Sequence, residues 1–135
     1  LHPRVRRQLQ MCIRDRLLSA YPPEISVGQK QRVAAARALI TNPKIIFADE
    51  PTGSLDSKSA TELLKYLAEI NLHDDATILM VTHDPYTASF CNRILFIKDG
   101  AIFSEVVRQG SRKEFFNRVI DMQATIGGGG RANDF

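Results

Sequence analysis

Two neighbouring carboxylates, Asp49 and Glu50, follow a continuous apolar run in the middle of the chain. The run, Ile45–Ala48, is typical of a buried parallel strand, and Pro51 comes directly after the acid pair. Acid groups at the end of such a strand can divide two tasks. One can hold a hydrated Mg²⁺, and the other can orient and polarise a water for attack on a terminal phosphate. Taken alone, the same pattern also fits an ordinary strand that leads into a loop.

Three further features have chemistry that suits a phosphate. The segment Ser26–Gln29 precedes an Ala-rich helix, so a hydroxyl, backbone amides and a helix N-terminus point the same way and favour an anion. His83 ends a second apolar run, and Thr52–Asp56 leads to a helix cap. Each feature also has a plainer interpretation: a serine cap with a turn glycine, a hydrogen-bonded structural histidine, and an ordinary turn.

The elements that must position these residues alternate between strand and helix. The predicted elements are a helix over Gln29–Ile40, a strand over Lys44–Ala48, a helix from Asp56 or Ser57 to about Asn71, a strand over Thr77–Thr82, a short helix over Pro85–Cys91, strands over Asn92–Lys98 and Ala101–Val106, and a C-terminal helix after Ser111. A strand, a crossover helix and a second strand predict the βαβ pattern of a doubly wound parallel sheet, which is an α/β fold.

The last third of the chain carries two local signals. Asp99-Gly100 is typical of a two-residue hairpin turn, and Ser111 with Glu114 has the spacing of a capping box. The buried face predicted for the C-terminal helix consists of Phe115, Phe116, Val119 and Ile120.

Charge and composition exclude several classes of protein. The 135 residues carry a net charge of +3, with a pI near 9.1 and 44% hydrophobic residues, which favours one ordinary globular domain. Five arginines against one aspartate give the first 20 residues +4, so the remainder carries −1 and nucleic acid is not an expected partner. Cys12 and Cys91 form no metal or redox motif and suit a reducing cytosol. No apolar run approaches the roughly 20 residues that span a bilayer.

Four ordered motifs resemble those of ATP-binding cassette (ABC) ATPases. Ile25–Arg32 resembles the signature motif, whose usual form is LSGGQ, and Ile45–Glu50 resembles the Walker B strand. Gly53–Asp56 is similar to the D-loop, and Val81–Asp84 is similar to the segment with the switch histidine. The resemblance runs from about Leu18 to the C-terminal helix and implies part of a P-loop NTPase fold of the ABC type.

The resemblance also implies a role for each matching residue. Asp49 holds Mg²⁺ through water, and Glu50 is the catalytic base. His83 senses or contacts the γ-phosphate, and Asp56 communicates across a dimer. The residues that close over ATP bound to the opposite subunit are Ser26, Val27, Gly28 and Gln29. The implied partners are a second ATPase subunit, in a head-to-tail dimer, and a membrane permease, which places the protein on the cytoplasmic face of the cell membrane.

Longer stretches most resemble ATPases that export bacitracin and other peptide antibiotics. These stretches are Tyr21–Ser26, Phe47–Gly53, Leu79–Pro85, Phe96–Gly100 and Arg112–Phe116. Lipoprotein-release and macrolide-export ATPases resemble them too. A soluble ABC ATPase that acts on DNA or ribosomes is a further alternative, but its signature should follow a long heptad coiled coil, and Pro22-Pro23 stands there instead. The substrate and direction of transport lie in the membrane partner.

Two features depart from the family pattern. Val27 replaces the first glycine of the signature, and a β-branched side chain disfavours positive φ and blocks close approach of a phosphate. No glycine begins a G-x-x-x-x-G-K-[ST] loop, so the Walker A half is missing. We therefore expect the chain alone to show no ATP hydrolysis, and a fragment that only binds a partner is the third alternative.

The domain boundaries follow from these departures. We expect residues 18–126 to be the C-terminal part of an ABC ATPase domain and residues 127–135 to be a flexible tail. Residues 1–17 are predicted to lie outside the family, either as an artefactual junction or as a native basic helix. The apolar face of such a helix would consist of Val5, Leu9, Ile13 and Leu17.

Overall fold

The structure is a computed structural model that describes residues 21, 23, 26–73 and 76–128. The chain forms two compact units, which divide between Val81 and Thr82. The helix predicted within residues 1–17 lies outside the described residues. Among the residues that are described, no helix is both long enough and apolar enough to cross a bilayer.

The first unit is a βαβ arrangement preceded by a helix. Its elements are helix α1 (Val27–Leu39), strand β1 (Ile45–Asp49), helix α2 (Ser57–His73) and strand β2 (Thr77–Val81). The two strands pair in parallel, with Ile46 opposite Ile78 and Asp49 opposite Val81. Helix α2 is the crossover between them. The parallel pair and its crossover helix are therefore confirmed.

The turn after α1 explains why this helix stops where it does. The backbone N–H of Asn42 donates to the carbonyl of Leu39 at 3.1 Å, and Asn42 adopts a left-handed φ of 51°. Asparagine tolerates this conformation better than most residues. Pro43 follows and cannot continue a helix, as the sequence predicts.

One face of the β1–β2 pair is buried and the other is open. The buried core of the unit consists of Leu39, Ile46, Leu63, Leu67, Ile70 and Ala76. On the opposite face Phe47 is 76% exposed and Leu79 is 53% exposed. The prediction of buried strands thus holds for one face only, because the core cluster to which α1 and α2 contribute includes Ile46, Ile78 and Met80 but neither Phe47 nor Leu79.

The second unit is a hairpin that shares a core with the C-terminal helix. Its elements are helix α3 (Pro85–Ala88), strands β3 (Arg93–Lys98) and β4 (Ala101–Val107), and helix α4 (Arg112–Gly128). Asp99 and Gly100 have φ values of 50° and 78°, and two successive positive values are what a type I′ turn requires. The predicted hairpin is confirmed, with a register irregularity between Phe96 and Ile97.

The buried face of α4 differs from the predicted one. Phe115 and Val119 are buried in the core of the second unit, but Ile120 is 41% exposed. Met122 and Ile126 pack against that core instead. The buried stripe therefore advances by four, three and four residues, which keeps it on one side of a helix with 3.6 residues per turn.

The ends of α3 and α4 are partly as predicted. The capping box of α4 is confirmed, since the Ser111 hydroxyl accepts from the Glu114 N–H at 3.3 Å and the Glu114 carboxylate accepts from the Ser111 N–H at 2.8 Å. Helix α4 continues to Gly128, two residues into the predicted tail. Helix α3 ends at Ala88 rather than at Cys91.

Candidate functional site

The predicted acid pair lies where β1 ends. Asp49 is the last residue of the strand and is exposed, and Glu50, which follows it, is half-buried. The N–H of Glu50 donates to the carbonyl of Val81 at 2.9 Å, which extends the parallel ladder by one bond. Pairing with β2 therefore holds the backbone of Glu50 although the strand has already ended.

Glu50 has a left-handed backbone with φ of 42°. This conformation costs a residue with a side chain roughly 1–2 kcal/mol. The carbonyl of Glu50 accepts from the Gly53 N–H at 3.1 Å, so a tight turn follows at once. In β1, successive side chains point to opposite faces of the sheet. The sharp change of chain direction ends this alternation between Asp49 and Glu50. A strained residue at the end of a strand is a common feature of functional sites.

The signature segment forms the start of α1. The Ser26 hydroxyl accepts from the Gln29 N–H at 3.2 Å, and the Gln29 side-chain carbonyl accepts from the Ser26 N–H at 2.8 Å. This capping box explains why the helix begins at Val27, two residues earlier than predicted. The N–H groups of Val27 and Gly28 have no acceptor within the helix, since both belong to its first turn. Their dipoles favour an anion at this end.

Val27 adopts the helical conformation rather than a positive φ, because it is the first residue of α1. The expected conflict between its β-branched side chain and the backbone is therefore absent. Its side chain is 54% exposed. What remains of the departure from the signature is the added bulk of an isopropyl group.

Asp56 caps the second helix of the unit. Its Oδ1 atom accepts from the N–H groups of Lys58 and Ser59 at 3.1 and 3.0 Å. The backbone and side-chain hydrogen bonds from Ser59 hold the pKa of Asp56 below its ordinary value, and the Lys58 N–H adds to the effect. The plain interpretation of the turn as a lead into a helix cap is therefore also correct.

A cavity of about 440 Å³ brings the signature and the D-loop together. Its lining consists of Ser26, Val27, Gly28, Gln29, Ser54, Leu55, Asp56 and Ser59. Five predicted site residues thus share one cavity, while Asp49 and Glu50 lie at the start of the turn that leads to it. Leu55 has no role predicted from the sequence. Its one available signal was an apolar side chain within an otherwise polar turn.

His83 belongs to the second unit and is exposed. Its carbonyl accepts from the side-chain amide of Gln123 on α4 at 3.3 Å. Asp84, the next residue, caps α3 by accepting from the N–H groups of Tyr86 at 3.1 Å and Thr87 at 2.9 Å. Hydrogen bonds therefore hold the chain at the His83 carbonyl and at Asp84, which follows it.

The pKa of Asp84 lies below its ordinary value. Burial alone would raise this pKa, but hydrogen bonds from the Thr87 side chain and backbone and from the Tyr86 N–H outweigh it, with a smaller effect from the charge of His83. The shortest of these bonds joins the Thr87 hydroxyl to Asp84 Oδ2 at 2.6 Å. Asp84 is thus an ionised cap directly after the predicted switch residue.

The described residues contain no group of three or more histidine, cysteine, aspartate or glutamate side chains that would enclose a metal ion. Mg²⁺ differs from other protein-bound cations in this respect, because it keeps several waters and commonly takes one or two carboxylates together with substrate phosphates. The exposed carboxylate of Asp49 at the end of β1 fits this mode of coordination.

Comparisons with known proteins identify the family. Residues 4–53 match the family described as ABC transporter. The bacitracin export ATP-binding protein of Halalkalibacterium halodurans is 56% identical over 80% of this chain and 43% of its own length. A dimeric post-hydrolysis state of the ATP-binding cassette MJ0796, bound to ADP and Pi, superposes with a TM-score of 0.70 at 41% identity, over 81% of this chain and 47% of that one. This chain belongs to the ABC ATPase family.

This chain, called the cassette below, spans less than half the length of these two relatives. A macrolide export ATP-binding/permease protein of Syntrophobacter fumaroxidans is similar as well, at 51% identity over 62% of the cassette and 12% of its own length. The family match begins at residue 4, inside the segment that the sequence places outside the family. The boundaries near residues 17 and 127 remain predictions.

Proposed function

We propose that this cassette is part of an ATP-hydrolysing subunit that drives a membrane permease. The observation that carries the proposal is the cavity in which the N-terminus of α1 meets the D-loop, one turn away from the acid pair of β1. The amides of α1 supply an anion site, and the strand end supplies carboxylates. Both are needed for phosphoryl transfer to water.

The acid pair performs the chemical step. Asp49 would hold a hydrated Mg²⁺, and the bound ion would neutralise charge on the phosphates. Glu50 orients the attacking water and accepts its proton. The hydrogen bond from the Glu50 N–H to Val81 and the turn to Gly53 hold the backbone that carries this carboxylate. A fixed base lowers the barrier by positioning rather than by intrinsic basicity.

The signature residues act on the other side of the phosphate. In the proposed head-to-tail dimer, Ser26, Val27, Gly28 and Gln29 close over ATP held by the opposite subunit. Asp56 connects the two sites across the dimer, and His83 contacts the γ-phosphate. A dimeric state with ADP and Pi in the similar cassette MJ0796 supports this arrangement.

The permease that we propose exports a peptide antibiotic or confers resistance to it. The support is the 56% identity to a bacitracin export ATP-binding protein. Export of a macrolide is the second candidate, because a macrolide export protein is 51% identical over a shorter stretch. In either case the subunit lies at the cytoplasmic face of the membrane through its permease, and nucleic acid is not a partner.

The proposal can be tested in a chimaera, here called the chimaeric cassette. Residues 21–128 replace the matching segment of the bacitracin export ATP-binding protein of Halalkalibacterium halodurans, which supplies the remaining half. We expect the chimaeric cassette to release phosphate from ATP. Glu50→Gln should lower this rate by about 100-fold or more, because it removes a general base, and should retain ATP-dependent dimers on gel filtration.

A matched control is Glu69→Gln, which alters an exposed glutamate of α2 and should leave the rate unchanged. Turnover of Glu50→Gln at the parental rate would remove Glu50 from the base role. The transported class is separated by growth of cells that carry the chimaeric cassette with either the bacitracin permease or a macrolide export permease. Protection against a macrolide with the second permease, without protection against bacitracin with the first, would favour the second candidate.

A further inference from the structure

Leu55 lies between the core of the first unit and the N-terminus of α1. It is half-buried and packs against the core cluster that contains Ile46 and Leu63. On its other side, its Cδ2 atom lies 3.4 Å from the place where a Cβ atom on Gly28 would stand. Carbon atoms in contact prefer about 3.5–4.0 Å, so a Cβ atom at position 28 would be in van der Waals contact with Leu55, and a larger side chain would overlap it.

The conformation of Gly28 does not require a glycine. Gly28 lies in the first turn of α1, and its φ is not among the positive values found in the described residues. What the described residues show at this position is the close approach of Leu55, which leaves room for little more than a Cβ atom. The contact is specific, because Leu55 is the one side chain that a Cβ atom there would meet within 4 Å in the described part of the chain.

The backbone of Leu55 belongs to the turn that begins at the acid pair. Its N–H donates to the carbonyl of Thr52 at 3.0 Å, and Gly53 donates to the carbonyl of Glu50. The next residue, Asp56, caps α2. The side chain of Leu55 thus connects a turn fixed at both ends to the first turn of α1.

We propose that Leu55 is a positioning residue that sets the separation of the signature from the D-loop. It acts on Gly28 and thereby on the alignment of the α1 amides with the phosphate that they bind. This inference rests on the proposed function, since it assumes that the signature closes over ATP. Small displacements of such a site have large effects, because catalysis and closure depend on geometry to a fraction of an ångström.

The contact can be tested by a size swap in the chimaeric cassette with Glu50→Gln, which accumulates the dimer. The measurement is the ATP concentration that gives half-maximal dimer. Gly28→Val and Leu55→Ala should each raise it by about threefold or more. The side chain added by the first change occupies space vacated by the second, so the double variant should return to within about twofold of the parent. Such a coupling is expected only for residues in contact.

Two further measurements separate positioning from simple stability. The melting temperature of each variant shows any loss of folding, and Leu55→Met tests rescue by a side chain of similar volume. Leu72→Ala, a change at an α2 leucine that is 75% exposed, should affect neither dimerisation nor melting. Lower melting temperatures with an unchanged ATP requirement, or single effects that simply multiply, would overturn the role of Leu55. Failure of the parent to dimerise with ATP would overturn the proposed function as well, and is recognised before any variant is made.

Discussion

The left-handed backbone of Glu50 makes a quantitative prediction about stability. With φ of 42°, this residue stands where glycine is free of strain and where alanine pays roughly 1–2 kcal/mol. Glycine loses about 0.5–1 kcal/mol more backbone entropy on folding than alanine. We therefore expect Glu50→Gly to be more stable than Glu50→Ala by about 0.5–1 kcal/mol. Both variants lack the carboxylate and keep the backbone bonds to Val81 and Gly53, so their difference reports the backbone alone.

Asp49 provides the matched control for this comparison. It lies one residue earlier, within β1, and is not among the described residues with positive φ. At this position we expect Asp49→Gly to be less stable than Asp49→Ala by about 0.5–1 kcal/mol. The stability difference between the glycine and alanine variants therefore has the opposite sign at the two positions. The double difference between the two positions isolates the strain of Glu50, and its expected value is about 1–2 kcal/mol.

The assay is urea unfolding of the chimaeric cassette, followed by circular dichroism, with thermal melting as a second measure. A chain of this size should change its melting temperature by about 2–4 °C per kcal/mol. The same sign at both positions, or a more stable Glu50→Ala, would show that Glu50 carries no strain. Strain in the backbone of Glu50 would then have no part in orienting the base.

Two further predictions concern the second unit. Asp84→Ala should destabilise the chimaeric cassette by about 0.5–2 kcal/mol at neutral pH through loss of the α3 cap. The pKa of Asp84 is lowered in the folded state, so its contribution to stability is present above the ordinary value of 3.8 and is lost as the pH falls through the folded value. The urea midpoints of parent and variant should therefore converge as the pH is lowered below 3.8. A constant difference across that range would exclude the ionised cap. Phe115→Ala should lower the free energy of unfolding by about 3–5 kcal/mol, because the ring is fully buried. Ile120→Ala should lower it by less than about 1 kcal/mol. Similar losses for the two variants in melting experiments would show that Ile120 is buried, as the sequence predicts.

Features written in neighbouring residues were predictable from the sequence. Asp99-Gly100 specifies its own turn, and Ser111 with Glu114 specifies its own cap, because each structure is completed within four residues. The parallel pairing of β1 and β2 was predictable for a related reason. Two apolar runs separated by an amphipathic helix leave few other topologies.

Features that depend on distant packing were not predictable. The φ of Glu50 is stabilised by Val81, which lies 31 positions further along the chain, and glutamate has no intrinsic preference for that conformation. The choice of Met122 over Ile120 as a core residue depends on how α4 rotates against the hairpin. The approach of Leu55 to Gly28 joins two motifs that the sequence shows as separate.

The capping of α2 by Asp56 makes the two helix N-termini at the cavity electrostatically different. Two helices begin at its wall, and each offers amide dipoles, but the second already has its own carboxylate on the first-turn N–H groups of Lys58 and Ser59. The first has a neutral serine and glutamine cap. An incoming anion is therefore drawn toward α1 and repelled from α2, so the charge of the cavity selects which of two similar helix ends receives the phosphate.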